Sequence, residues 1–140
     1  VYFMHADQYS EALASFQHAL TLSPEDGMIY LHVAQAMTLN GLYDRGYWFY
    51  QRHLAYRKSP EGIVYLYLAE NRYLAGDLTR GDRFIKRFLE ITSNQNVRII
   101  LNKIAQSYPD MIPFVDNGLI VNKVEEYLCL HKGFQGIFDT

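Results

Sequence analysis

Shifted by 35 positions, residues 27–91 fall on themselves. Tyr30 lands on Tyr65, Leu31 on Leu66, Ala34 on Ala69 and Leu39 on Leu74. Gly41 then lands on Gly76, Gly46 on Gly81 and Leu54 on Leu89. The junction Ser23-Pro24-Glu25 also recurs, as Ser59-Pro60-Glu61. A period in this range marks a stacked unit that cannot bury its apolar face alone. It constrains the fold more than any other feature of the chain.

Within each copy the apolar residues recur at intervals of three and four, the spacing of one helical face. The pattern predicts helices over 27–39, 43–57, 63–74 and 79–91, stopped at Asn40-Gly41 and Ala75-Gly76-Asp77. Upstream, a helix ends within residues 1–6, Asp7-Gln8 turns, and a second helix starts at Tyr9 with Ser10 as its cap. Its stripe is Tyr9, Ala12, Leu13, Phe16, Ala19 and Leu20. Connections this short make consecutive helices antiparallel. Beyond Thr92 the period fades. Ser93 or Asn94 caps a helix over 96–108 with the stripe Val97, Ile100, Leu101, Ile104 and Ala105. Pro109 and Pro113 bracket a break, and 118–132 is a last helix, with a short strand at Gly118-Leu119-Ile120-Val121 as the alternative. The tail carries Phe134, Ile137 and Phe138.

The register resembles the tetratricopeptide repeat, a motif of 34 residues in two helices. The copy over 27–61 supplies Tyr30, Val33, Ala34, Gly41, Tyr43, Gly46, Tyr50 and His53. The copy over 62–91 supplies Tyr65, Leu68, Ala69, Gly76, Leu78, Gly81, Ile85 and Phe88. A partial first copy over 1–26 supplies Asp7, Tyr9, Ala12, Phe16, Ala19 and Pro24. Gly46, Gly81, His53 and Phe88 depart from the alanines of the motif. The resemblance implies an all-α fold: a right-handed superhelix of about three helical hairpins over 1–91, closed by capping helices and a tail over 92–140. Tyr30 and Tyr65 are then expected at equivalent, largely buried places, and a strand anywhere in 27–91 would contradict the reading.

No enzyme site is expected. The chain has five histidines and one cysteine. Cys129-x-His131 is the one close pair, and zinc sites draw on about four ligands. His53 replaces a packing alanine and reads as a hydrogen-bonded core histidine. No phosphate loop, nucleophile elbow or His-Glu-x-x-His occurs. No cofactor is expected. Net charge is −2, which favours neither nucleic acid nor an anionic membrane. The basic stripe Arg80, Arg83, Lys86 and Arg87 is diluted by Asp77, Asp82 and Glu90. No apolar run approaches the roughly 18 residues of a membrane span. One cysteine suits a reducing, cytoplasmic setting. The chain opens at Val1, so residues upstream are expected.

The resemblance implies a protein–protein interaction module whose concave groove is built from the first helix of each hairpin. In the second repeat the groove residues are Met28, Leu31, His32, Gln35, Thr38 and Leu39; in the third, Ile63, Leu66, Tyr67, Glu70, Tyr73 and Leu74. Neither set holds a lysine or arginine, and Glu70 would repel a carboxylate, so a carboxylate clamp is not expected. An extended segment with two or three aliphatic anchors suits such a surface. The opposing reading is that Leu31 and Leu66 merely close the superhelix, or that the C-terminal helix fills it. Two alternatives stand beside the adaptor reading: a chaperone like those of bacterial type III secretion, and a self-associating domain of a longer protein. A second contact surface is expected at Trp48, between Arg45 and Arg52, with the tail around Phe134 and Phe138 as a further contact in a homodimer.

Overall fold

A computed structural model of the chain describes residues 14–19, 21–22, 27–56, 61–109 and 111–131. The fold is all-α. Residues 14–19 and 21–22 are helical. They are followed by α1 (Gly27–Leu39), α2 (Tyr43–Tyr56), α3 (Gly62–Leu74), α4 (Leu78–Ile91), α5 (Asn94–Ala105) and α6 (Asn117–His131). No strand occurs among the described residues, so the alternative of a strand at 118–121 is set aside: those residues open α6. The expectations for residues 1–13, for the two Ser-Pro-Glu junctions up to Pro60, and for the tail with Phe134, Ile137 and Phe138 lie outside the described residues.

The reversal between helices is made the same way in both hairpins. Gly41 has φ +80° and Gly76 has φ +85°, a left-handed conformation that a Cβ disfavours. At the first turn, Gly41 N donates to Thr38 O (3.1 Å) and Leu42 N to Met37 O (2.9 Å). At the second, Gly76 N donates to Tyr73 O (3.0 Å) and Asp77 N to Arg72 O (2.8 Å). Each bond is the other moved by 35 residues. Together they form the paired 5→2 and 6→1 bonds that satisfy the last carbonyls of a helix. Asp77 then caps α4, its Oδ1 accepting from Arg80 N at 3.2 Å.

The chain divides into two compact units, one ending at residue 60 and one beginning at 61. In the first, α1 and α2 run antiparallel. Close to the open end of the hairpin, His53 donates its Nδ1 proton to Gly27 O at 2.6 Å, and Tyr30 stacks on Tyr56 at 5.3 Å. Nearer the turn, Tyr50 OH donates to Gln35 Oε1. His53 is thus a buried, hydrogen-bonded histidine. The core here is Tyr30, Leu31, Val33, Ala34, Met37 and Tyr50.

In the second unit, α3 and α4 form the same kind of hairpin and share one compact body with α5 and α6. Leu66, Leu68, Ala69, Ile85 and Phe88 are its centre, with Val97, Leu101 and Ile104 from α5 and Ile120, Val124 and Leu128 from α6. Gly81 explains one departure from the repeat pattern. A Cβ there would lie 2.5 Å from Cε1 of Tyr73, so the missing methyl is the space in which that ring sits. Tyr65 is only half-buried, unlike Tyr30. Its ring tilts against Phe84 at 6.3 Å, and the Arg87 guanidinium lies 6.0 Å above it. The exposed row on α4 is balanced in place, Arg80 with Asp77 and Arg87 with Glu90, each at 3.5 Å.

Helix α5 starts and stops earlier than the periodicity suggests. Ser93 Oγ accepts from Asn96 N at 3.2 Å, fixing the start at Asn94. Ser107, at φ +52°, ends it with a turn of the same bonding pattern as the glycine turns.

The glycine turns carry a stability prediction. A Cβ at Gly41 or Gly76 would meet nothing within 4 Å, so alanine there tests backbone conformation alone. Gly41→Ala and Gly76→Ala are each expected to cost about 1–2 kcal/mol. Denaturant unfolding measures it; an unchanged midpoint in both variants would contradict the turn assignment.

Candidate functional site

The face of α3 expected to line a groove is covered by the chain itself. Residues 112–116, between α5 and α6, lie across it. The Phe114 ring stacks on the Tyr67 ring with centroids 4.2 Å apart and planes 14° from parallel. Tyr67 OH donates to Ile112 O at 2.5 Å. One turn along α3, Glu70 accepts from two successive backbone amides, Val115 N on Oε1 (2.9 Å) and Asp116 N on Oε2 (2.8 Å). Asp116 in turn caps α6, its Oδ1 accepting from Leu119 N at 3.1 Å. One more turn along α3, Lys123 of α6 places its ammonium 5.0 Å over the Tyr73 ring, and Tyr73 OH donates to Asp82 at 2.6 Å.

Local sequence explains why the strap is extended. Pro113 forces the residue before it out of the helical region and lacks an N–H of its own. The strap therefore leaves the helical bonding pattern, and Tyr67 and Glu70 meet its Ile112 carbonyl and its Val115 and Asp116 amides. Glu70 has 0 % of its surface exposed. Hydrogen bonds to a charged group contribute about 1.5–3 kcal/mol each, and an aromatic pair about 0.5–1.5 kcal/mol beyond its burial. Burial, and then the neighbouring Glu70 charge, raise the pKa of Tyr67 well above the usual phenol range. Burial, and then the hydrogen bond to Asp82, do the same for Tyr73. Both hydroxyls therefore remain donors at any physiological pH.

The residues expected in the groove divide as follows. In the second unit Leu66, Tyr67, Glu70 and Tyr73 are buried, the last three beneath the strap or α6. Ile63 and Leu74 are half-buried. Ile63 lines an open cleft of about 240 Å³ with Glu61, Gly62, Ile100, Lys103, Tyr108 and Met111. In the first unit Leu31, Gln35 and Thr38 are buried, Met28 and Leu39 half-buried, and His32 exposed. Gln35 is taken up by Tyr50, and Thr38 Oγ1 donates back to Ala34 O at 2.9 Å. The second surface is on α2, where Arg45, Trp48 and Arg52 are all exposed.

Phe114, Val115 and Asp116 were not singled out from the sequence. The two prolines read only as a break, yet an aromatic placed directly after Pro113 was the signal that this break packs against something. Among the described residues no cluster of three histidine, cysteine or acidic side chains gathers as a metal site, and Cys129 is an exposed thiol. Among them, too, no helix is long and apolar enough to cross a membrane. Comparison with protein-family models, with curated proteins and with solved structures finds no match to this chain.

The paired acceptance by Glu70 is testable alone. Glu70→Gln keeps the shape but turns an NH₂ group toward one of the two amides. It is expected to cost about 1.5–3 kcal/mol and to speed hydrogen exchange at Val115 and Asp116 specifically. Unchanged protection at both amides would show that the carboxylate does not hold the strap.

Proposed function

We propose that this chain is a non-enzymatic protein–protein interaction module, a tetratricopeptide-like adaptor or assembly factor that holds an extended segment of a partner protein. One observation carries the reading: α3 already holds an extended segment, residues 112–116, through contacts that an incoming chain could reproduce. Of its four anchoring contacts, three use only the segment's backbone and one uses an aromatic side chain. Backbone contacts give affinity without demanding sequence, and the side-chain pocket gives selectivity. The preferred partner segment is therefore extended, carries an aromatic residue over Tyr67, and has two free amides following it over Glu70.

This refines the expected apolar groove. Glu70 disfavours a partner carboxylate, but it is the acceptor for partner amides. A partner reaches the site by displacing residues 112–116. The setting that suits the single thiol is a reducing one, and we propose the cytoplasm.

The test frees the cradle and supplies its ligand in trans. Phe114→Ala removes the stacking ring from the strap, and Val115→Pro removes one of the two amides while keeping that ring. A fluorescein-labelled peptide with the sequence of residues 109–120 is titrated against the unaltered chain and both variants. Binding by the variants at peptide concentrations where the unaltered chain shows none supports the reading. Folded variants whose anisotropy stays flat up to millimolar peptide would make the Tyr67–Glu70 face ordinary core.

A further inference from the structure

The end of α5 decides where the strap goes. The apolar spacing of this helix carries it through residue 108, yet it stops at Ala105. Ser107 stops it. Its φ of +52° lies in the left-handed region that glycine, asparagine and aspartate visit and other residues rarely do. Among the described residues it is the one non-glycine residue with a positive φ. Two backbone bonds close the turn, Ser107 N donating to Ile104 O and Tyr108 N to Lys103 O, each at 3.1 Å. Across the base of the loop, Asn117 Nδ2 donates to the Ser107 hydroxyl at 2.7 Å. The chain thus departs from its local helical preference at the residue that turns the strap back over α3.

From that residue onward the strap and α6 form one piece. The Asp116 amide donates to Glu70, and the Asp116 carboxylate caps α6. Helix α6 packs on α3, α4 and α5, with Ile120, Val124 and Leu128 buried. A helical Ser107 would carry the whole piece away from its own α3. The groups it leaves are the Tyr67 ring and hydroxyl and the Glu70 carboxylate. The same piece of any second copy brings their counterparts: the Phe114 ring, the Ile112 carbonyl and the amides of Val115 and Asp116. Complementarity between two copies is therefore given by contacts already made within one, and such an exchange needs no new interface.

We infer that the cradle on α3 receives the strap and α6 of a second copy of this chain, two molecules exchanging residues 112–131 reciprocally. The inference rests on the reading that the strap can leave the cradle, and it names the partner. Exchange keeps the contacts and gives up the tether, whose effective concentration is on the order of millimolar. Each dimer releases two Ser107 turns, which lowers the required concentration about tenfold or more.

The unaltered chain is equilibrated over a concentration range reaching about a millimolar and followed by sedimentation equilibrium; a reversible dimer is expected. Ser107→Gly also removes the hydroxyl, so it is made in an Asn117→Ala background and compared with Asn117→Ala alone. Glycine takes the positive φ without cost and is expected to weaken the dimer about tenfold or more. Ser107→Val in the same background opposes that φ most strongly and is expected to strengthen it. Mixing isotope-labelled and unlabelled chains tests the exchange itself. The Tyr67 ring of one chain is expected to show a nuclear Overhauser contact to the Phe114 ring of the other, since the stacked rings are 4.2 Å apart. A chain that stays monomeric throughout overturns the inference, as does a dimer without that contact or one that Ser107→Gly leaves unchanged. The peptide of residues 109–120 separates the two readings. If it binds the Phe114→Ala chain while the unaltered chain stays monomeric, the cradle stands and the exchange falls.

Discussion

A carboxylate with none of its surface in water persists only where hydrogen bonds replace the lost solvent. Glu70 is in that position, and the amides of Val115 and Asp116 make the replacement. Much of the second unit follows from that pairing. It fixes where the strap crosses α3, and so where Asp116 can cap α6. It fixes the height at which Phe114 meets Tyr67 and, through α6, the placement of Lys123 over Tyr73. Removing the carboxylate would take the acceptor from two amides, and removing the strap would take two donors from the carboxylate. Each half of the arrangement therefore supports the other. Among the described residues no buried side-chain nitrogen or oxygen lacks a partner, so the polar face of α3 is satisfied beneath the strap.

The hairpins were legible in the sequence because their cause is local. Gly41 and Gly76 stand 35 residues apart, and both adopt the left-handed conformation that a helix reversal needs. A turn of this kind depends on a few consecutive residues, so its signal lies within a short window. Helix ends decided by side-chain caps were legible to within a few residues; Ser93 caps α5 as its sequence suggests, while Asp77, read only as part of a break, caps α4. The end of α5 was not, because Ser107 adopts a conformation that sequence assigns to glycine or asparagine. Its hydroxyl also accepts from Asn117 Nδ2 at 2.7 Å, a contact between residues ten apart that no local pattern announces.

The face of α3 was legible by membership, and what covers it was not. Leu66, Tyr67, Glu70 and Tyr73 share one face of α3, as their spacing requires, but periodicity gives a face and not what covers it. Whether the cover is solvent, a partner or the chain's own strap depends on pairings across 45 and 46 residues, Tyr67 with Ile112 and Glu70 with Val115 and Asp116. Charge gave only part of Glu70's role, for a related reason. A glutamate in a groove reads as a repellent for carboxylates, but its physical role here is to accept amides, and amides are present in every segment whatever its sequence. Trp48 was legible because four successive aromatics cannot all face inward on a helix, and its 51 % exposure follows from that geometry.

The strap also sets a threshold on anything that would replace it. A tethered segment competes at an effective concentration on the order of millimolar. A free partner at about micromolar concentration that made only the strap's contacts would occupy the cradle about one time in a thousand. Overcoming that deficit takes about 4 kcal/mol of additional affinity, at 1.4 kcal/mol per tenfold. Burying one aliphatic or aromatic anchor contributes about 1.5–3 kcal/mol before ordering costs, so two or three anchors beyond the strap's own footprint are required. The half-exposed Ile63 and the cleft it shares with Ile100, Tyr108 and Met111 adjoin the N-terminal end of α3 and offer apolar surface for one of them. A segment long enough to cross both the cradle and that cleft would displace the strap, while one matching the cradle alone would not. On the proposed reading, the tether would turn a largely sequence-tolerant backbone site into one that discriminates by length and anchor spacing.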